Sequence, residues 1–236
     1  MSNEAATAPH AVVTGSSGGI GRAIASQLLE AGWRVSGIDL AAPTLSSHAG
    51  FTHTAVDLCN ADAIARAAAT LQDADALVHA AGVLRVGPLG ALDHAGGELM
   101  WRLHVDAAAR LADALVPAMA ARGQGRVVFV GSRVAQGLPG RGQYAATKAA
   151  LIALARSWAA EVAPQGVTVN VVSPGATQTS MLQDPARAGS APRMPPIGRL
   201  IRPEEIAALV GFLLSPQAAA ITGQDLAICG GSSLHR

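Results

Sequence analysis

Thr14-Gly15-Ser16-Ser17-Gly18-Gly19-Ile20-Gly21 decides the fold of this 236-residue chain. It follows the short apolar run Val12–Thr14 and opens a segment, Ile20–Ala31, in which Ile20, Ala23, Ile24 and Leu28 recur at helical spacing. A strand, a glycine-rich turn and a helix are therefore read in immediate succession. Gly15, Gly19 and Gly21 let the backbone turn tightly and approach a pyrophosphate, and the amides and dipole at the helix start attract its charge. Ser17 and Ile20 stand in the same turn. A plain structural turn also uses glycine, so the motif takes its meaning from its position between strand and helix.

Outward from this turn, short apolar runs alternate with helical stretches. Val35–Ile38, Thr54–Val56, Ala76–Ala80, Val127–Val130, Val167–Val172 and Leu226–Ile228 read as buried strands. Ala61–Leu71, Glu98–Ala121, Gln143–Val162 and Pro203–Leu214 read as helices. Parallel neighbours need crossovers, and crossovers cover both faces of a sheet. The expected fold is α/β of the doubly wound Rossmann type, a mostly parallel seven-stranded sheet with helices on both faces. Residues 1–236 read as a single dinucleotide-binding and catalytic domain, with about 1–9 as a flexible tail. Its ligands should lie at the carboxyl ends of the strands, where the strand order reverses.

Composition narrows the function classes. With 17 basic against 16 acidic side chains and 14% charged residues, the chain has no field for steering onto nucleic acid or anionic lipid. Cys59 and Cys229 form no disulfide framework and have no metal-ligand spacing. Met1–His10 lacks the pattern of a secretory signal, and the longest apolar stretch, Ile206–Leu214, is half of a membrane span. A cytoplasmic protein that binds neither nucleic acid nor membrane is expected.

Asp39 ends the second strand 18 positions after Gly21, near the spacing of an acid that hydrogen-bonds a ribose 2′-hydroxyl. A carboxylate there repels a 2′-phosphate, so NAD is expected as the cofactor, with NADP less favoured. Asp39 can also be read as an ordinary strand-end cap. Asp57, with Leu58 beside it, follows the third strand and is placed to reach an adenine edge. A second signal comes from scarcity: among 16 Arg there is one Lys, Lys148, and the chain has one Tyr, Tyr144. They stand four apart, the spacing that brings two side chains together on one helix face. An ammonium beside a phenol favours the phenolate, which makes Tyr144 a base for an alcohol and, protonated, an acid for a carbonyl.

These motifs, with Ala80-Ala81-Gly82, Tyr144-Ala145-Ala146-Thr147-Lys148, Ser173-Pro174-Gly175 and the closing Gly230-Gly231, closely resemble the short-chain dehydrogenase/reductases of the compact type. The resemblance implies hydride exchange between NAD or NADP and a secondary alcohol or carbonyl. It places Ser132 on the substrate oxygen, Lys148 on the ribose hydroxyls, and Ala80, Ala81, Gly82, Pro174, Gly175, Thr177 and Thr179 around the cofactor. Residues 176–202 correspond to the family's substrate loop. Three departures stand out: Ser132 and Tyr144 are 12 apart where 13 is commoner, His104 replaces an Asn that holds a water in a proton relay, and the family's Asn-Ala-Gly is Ala80-Ala81-Gly82 here, which leaves only the backbone contact to the cofactor. His104 can hold the same water or be packed by its neighbours. Ser132 can likewise be a turn residue.

The leading expectation is an NAD-dependent dehydrogenase of a secondary alcohol or its ketone. A 3-oxoacyl-ACP or acyl-CoA reductase using NADPH shares every motif, and a non-catalytic dinucleotide-binding regulator is the reading from another class. Arg85, Arg133, Arg141, Arg187 and Arg193 suit an anionic substrate, although an Arg-rich composition can place them there by itself. The resemblance also implies a homo-oligomer, a tetramer or dimer.

Overall fold

The computed structural model describes residues 8–183 and 193–234. Seven strands form one sheet: β1 (His10–Thr14), β2 (Arg34–Asp39), β3 (Phe51–Ala55), β4 (Ala76–His79), β5 (Gly125–Val130), β6 (Val167–Pro174) and β7 (Asp225–Ile228). Their order is β3-β2-β1-β4-β5-β6-β7, and every neighbouring pair is parallel. The order reverses between β1 and β4, so the turn after β1 and the loop after β4 open a crevice at their carboxyl ends.

Alternation along the strands builds two cores. Val12 of β1 and Val127 and Phe129 of β5 point to one face, where α2 (Ala61–Ala68), α4 (Ala107–Ala121) and α5 (Gly142–Val162) supply Ile64, Leu111, Leu115 and Leu151. Ala11, Val13, Val128 and Val130 point to the other, against Ile24 and Leu28 of α1 (Gly19–Glu30) and Ile206 and Val210 of α6 (Pro203–Leu214). Both faces are covered, which is why the strands read as short, almost unbroken apolar runs.

Two expectations are corrected. The third strand lies over Phe51–Ala55 instead of 54–56, because its pairing with β2 runs from Val35↔Phe51 to Asp39↔Ala55 and leaves Val56 beyond the edge. The helix expected over 98–121 is interrupted: α3 (His94–Trp101) passes into α4 through a π-helical turn at Arg102–Asp106. Such a turn inserts a residue, rotates the side chains that follow and often marks a functional site. Among the described residues no helix is long and apolar enough to cross a membrane. Of the expected tail, residues 1–7 lie outside the described residues, as do 184–192 of the 176–202 loop and with them Arg187. The beginning and end of that loop are tied together by the bridge Thr177↔Ile201.

Candidate active site

The carboxyl ends of β1, β2, β4, β5 and β6 open into one cleft of about 1190 Å3, lined by every catalytic and cofactor-binding residue named from the sequence and, of the five arginines, by Arg133, Arg141 and Arg193 but not Arg85. The glycine turn forms its floor. Gly15 has φ +68, and a Cβ there would stand 2.9 Å from the backbone of Ala81; at Gly21 it would stand 2.1 Å from the Gly15 carbonyl oxygen. No side chain fits at either place, so the β1 turn, α1 and the 80–82 loop touch backbone to backbone. Gly18 is the N-cap of α1 and has no side chain to satisfy the first-turn amides, while Ser17, Gly18, Gly19 and Ile20 line the cleft. This is a cradle fitted to a pyrophosphate.

The Asp39 carboxylate accepts the Ser17 N–H at 2.9 Å with one oxygen and the Ala41 N–H at 2.9 Å with the other. These contacts aim it into the cleft beside the glycine turn. Asp57 Oδ1 accepts the Cys59 N–H at 2.8 Å, and Leu58 is buried next to it. Across the cleft, Pro174 ends β6 and Gly175 follows it, the Thr177 hydroxyl donates to the Gly175 carbonyl at 3.0 Å, and the Thr179 methyl lies 3.4 Å from where a Gly19 Cβ would stand. Thr179 thereby joins the start of the 176–202 loop to the glycine turn.

Ser132 caps a 3-10 turn at Arg133–Gln136; its oxygen accepts the Val134 N–H at 3.2 Å and its own O–H remains a donor. Tyr144 and Lys148 sit one turn apart on α5, with the Lys148 Nζ 5.8 Å from the Tyr144 ring centroid. The ammonium, 4% exposed, donates to the Val130 carbonyl at 2.9 Å. Burial lowers its pKa to about 7. A 3-10 turn lies between Ser132 and Tyr144, and both residues reach the same cleft.

Of the two readings left open for His104, holding a water or being packed by its neighbours, the geometry supports the packed one. The π turn carries its fully buried ring between α5 and the 82–83 loop, where Nε2 accepts the Val83 N–H at 3.0 Å and Nδ1 contacts the Thr147 hydroxyl at 2.9 Å. Both nitrogens are committed to protein partners. The sequence reading missed a second buried histidine. Thr14 Oγ1 accepts the N–H groups of Ala80 and Ala81 at 3.0 Å each and contacts His79 Nδ1 at 3.0 Å, while His79 Nε2 donates to the Leu103 carbonyl at 3.1 Å. The only sequence signal was an imidazole ending an otherwise apolar strand.

Desolvation and the neighbouring Lys148 lower His79 to about 3 and hold His104 well below the ordinary histidine range. The unfolded chain therefore binds protons below about pH 6.5 that the folded chain refuses, and stability falls as pH drops from there toward 3. His79 alone should cost about 2 kcal/mol between pH 7 and pH 5. Urea denaturation at the two pH values checks this; His79→Asn, a non-titrating amide, should remove that part of the loss.

Comparison with known proteins agrees with this geometry. A sequence profile described as Enoyl-(Acyl carrier protein) reductase matches residues 15–233. A solved short chain dehydrogenase/reductase family protein superposes with a TM-score of 0.88 at 36% identity, covering 96% of this chain and 98% of that one. This chain is a short-chain dehydrogenase/reductase. The 3-oxoacyl-[acyl-carrier-protein] reductase FabG of Vibrio cholerae serotype O1 is 38% identical over 240 residues, 94% of this chain and 96% of that protein. The 2,3-dihydro-2,3-dihydroxybenzoate dehydrogenase of Escherichia coli K12 is 36% identical over 240 residues, with the same two coverages. The short-chain dehydrogenase/reductase is therefore an oxidoreductase with a nicotinamide cofactor, and the cradle after β1 fits that cofactor's pyrophosphate.

Proposed function

We propose that this chain interconverts a 3-oxoacyl thioester and its 3-hydroxy form by hydride exchange with NAD(H). The observation that carries the reaction type is the Tyr144/Lys148 pair on the cleft wall beside Ser132. The substrate class draws on the relatives named 3-oxoacyl-[acyl-carrier-protein] reductases, which favour the acyl reading over the general secondary alcohol that led in the sequence. With all three groups in one cleft, the non-catalytic reading loses its support.

When bound, the nicotinamide supplies or accepts the hydride. The chain's own residues manage the proton and the charge. The Ser132 O–H, whose oxygen already accepts the Val134 N–H, donates to the substrate oxygen and stabilises charge developing there. Tyr144 passes its proton to that oxygen in reduction and takes it back in oxidation. Lys148, held by the Val130 carbonyl, favours the phenolate from a site where burial strengthens its field. Gly15, Gly19 and Gly21 admit the pyrophosphate, and Lys148, Asp39 and Asp57, which line the same cleft, make the hydroxyl and adenine contacts.

An acyl reductase of this type is expected to use NADPH, but Asp39 supports NADH. Of the cleft's acidic side chains, Asp39 and Asp57 stand at the β2 and β3 ends, and no described Arg or Lys lines that part. Wild-type protein should prefer NADH. Asp39→Ala should lower kcat/KM for NADH roughly 10- to 100-fold, the worth of a hydrogen bond to a charged group, and raise it for NADPH. Initial rates with acetoacetyl-CoA and each cofactor test both statements; a wild-type preference for NADPH would overturn the cofactor assignment.

A second reading is favoured by Arg133, Arg141 and Arg193, which line the opposite part of the cleft and suit an anionic group on the substrate. A cyclic hydroxy acid, such as the substrate in the Escherichia coli dehydrogenase's name, meets that description as well as a thioester does. Assaying a dihydrodiol carboxylate with NAD alongside acetoacetyl-CoA separates the two. A homo-tetramer or dimer is the assembly we propose, to be measured by light scattering.

A further inference from the structure

We infer that His104 is a positioning residue for Tyr144, acting through Thr147, and that it works as the Nδ1–H tautomer. The inference rests on Tyr144 being the proton carrier, and deepens that reading. Hydrogen-bond directions fix the tautomer. The Thr147 hydroxyl donates to the Tyr144 carbonyl at 2.9 Å, so its oxygen must accept from His104 Nδ1–H, 2.9 Å away. Nε2, which accepts the Val83 N–H at 3.0 Å, must then carry no proton. The chain Val83 N–H to His104 to Thr147 to Tyr144 carbonyl is continuous, and every donor in it meets an acceptor.

Geometry gives this chain its consequence. The His104 ring meets the Tyr144 ring edge-on, with centroids 5.7 Å apart and planes at 89°. It therefore touches the reactive side chain from one side while holding its backbone turn from the other. The ideal position of a Gly82 Cβ lies 3.0 Å from His104 Nε2 and 3.7 Å from Lys148 Nζ, so a side chain there would crowd the imidazole and come into contact with the ammonium. His79 braces the same π turn from behind through the Leu103 carbonyl. His104 thus ties the wall of the cleft at Val83 to the first turn of α5 as a rigid strut. A rigid link of this kind matters because a misplaced proton donor loses rate far more than it loses binding.

The two nitrogens can be tested separately, because an Asn amide occupies the place of Nδ1 and a Gln amide the place of Nε2. His104→Asn keeps the Thr147 link and should hold kcat within about threefold while raising the cofactor KM through the freed Val83 loop. His104→Gln keeps the Val83 link and should lose about tenfold or more in kcat with cofactor KM within about twofold. Thr147→Val should match His104→Gln, and the double variant should be no worse than either, the signature of two residues acting in one chain. Equal kcat losses in the Asn and Gln variants, or multiplied losses in the double variant, overturn the inference. Imidazole nitrogen NMR at pH 7 gives a readout independent of turnover: the signal lost in His104→Asn must belong to an Nδ1–H tautomer and move in Thr147→Val. An Nε2–H tautomer refutes the strut even if the enzyme is active. Absent turnover by wild type with the expected NMR pattern instead refutes the proposed reaction.

Discussion

Tyr144→Phe is expected to reduce kcat by about 10³-fold, roughly 4 kcal/mol of barrier, while leaving cofactor affinity unchanged. The substitution removes one oxygen and keeps the ring, so the edge contact with His104 and the helical position beside Lys148 survive. What disappears is the group that exchanges a proton with the substrate oxygen. Among the described residues, neither His104 nor Ser132 can take its place. The chain has no second tyrosine, both His104 nitrogens are engaged, and the Ser132 hydroxyl is too weak an acid and base to substitute. Steady-state kinetics with acetoacetyl-CoA and fluorescence titration of NADH make the test. Turnover within tenfold of wild type would remove Tyr144 from the mechanism.

Lys148→Met is expected to abolish most activity and at the same time stabilise the protein. Burial lowers the folded-state pKa to about 7 from the ordinary 10.5 of an exposed lysine. Between those values the unfolded chain binds more protons than the folded one, so stability rises with pH across this window. At pH 7 the lysine costs on the order of 4 kcal/mol. Methionine fills a similar volume without the desolvation cost but leaves the Val130 carbonyl without its donor, which takes back about 1–2 kcal/mol. The net gain should raise Tm by about 4–10 °C at pH 7 and should vanish as pH approaches 10. Activity should move the opposite way. Without the ammonium no neighbouring positive charge favours the Tyr144 phenolate, so alcohol oxidation should fall about 100-fold at pH 7 and recover as pH rises toward 10. Thermal melts and pH–rate profiles of the same two proteins check both halves. A Tm that falls, or an unchanged pH profile, would contradict the account.

That opposition between stability and function belongs to the site as a whole. Lys148, His79 and His104 are ionisable groups buried together, and each costs folding energy at some pH. Their hydrogen bonds to Val130, Leu103 and Val83 hold the cost in place and convert it into fixed geometry.

The amino-acid sequence by itself determined the alternation of strands and helices, the glycine turn after β1, Asp39 at the end of β2, and the Tyr144/Lys148 pair. Each is a local property: a backbone turn that needs glycine, a strand-end position, or two side chains one helical turn apart. Tertiary structure alone decided the π turn at Arg102–Asp106, the register of β3, and the parts played by His79 and His104. Helical periodicity runs straight through 98–121, and nothing local marks the inserted residue. The turn is held by partners far along the chain: Val83 lies 21 residues from His104, Thr147 lies 43 away, and Thr14 lies 65 from His79. An imidazole can donate, accept, bind water or simply pack, and only the groups that folding brings to its two nitrogens choose among these.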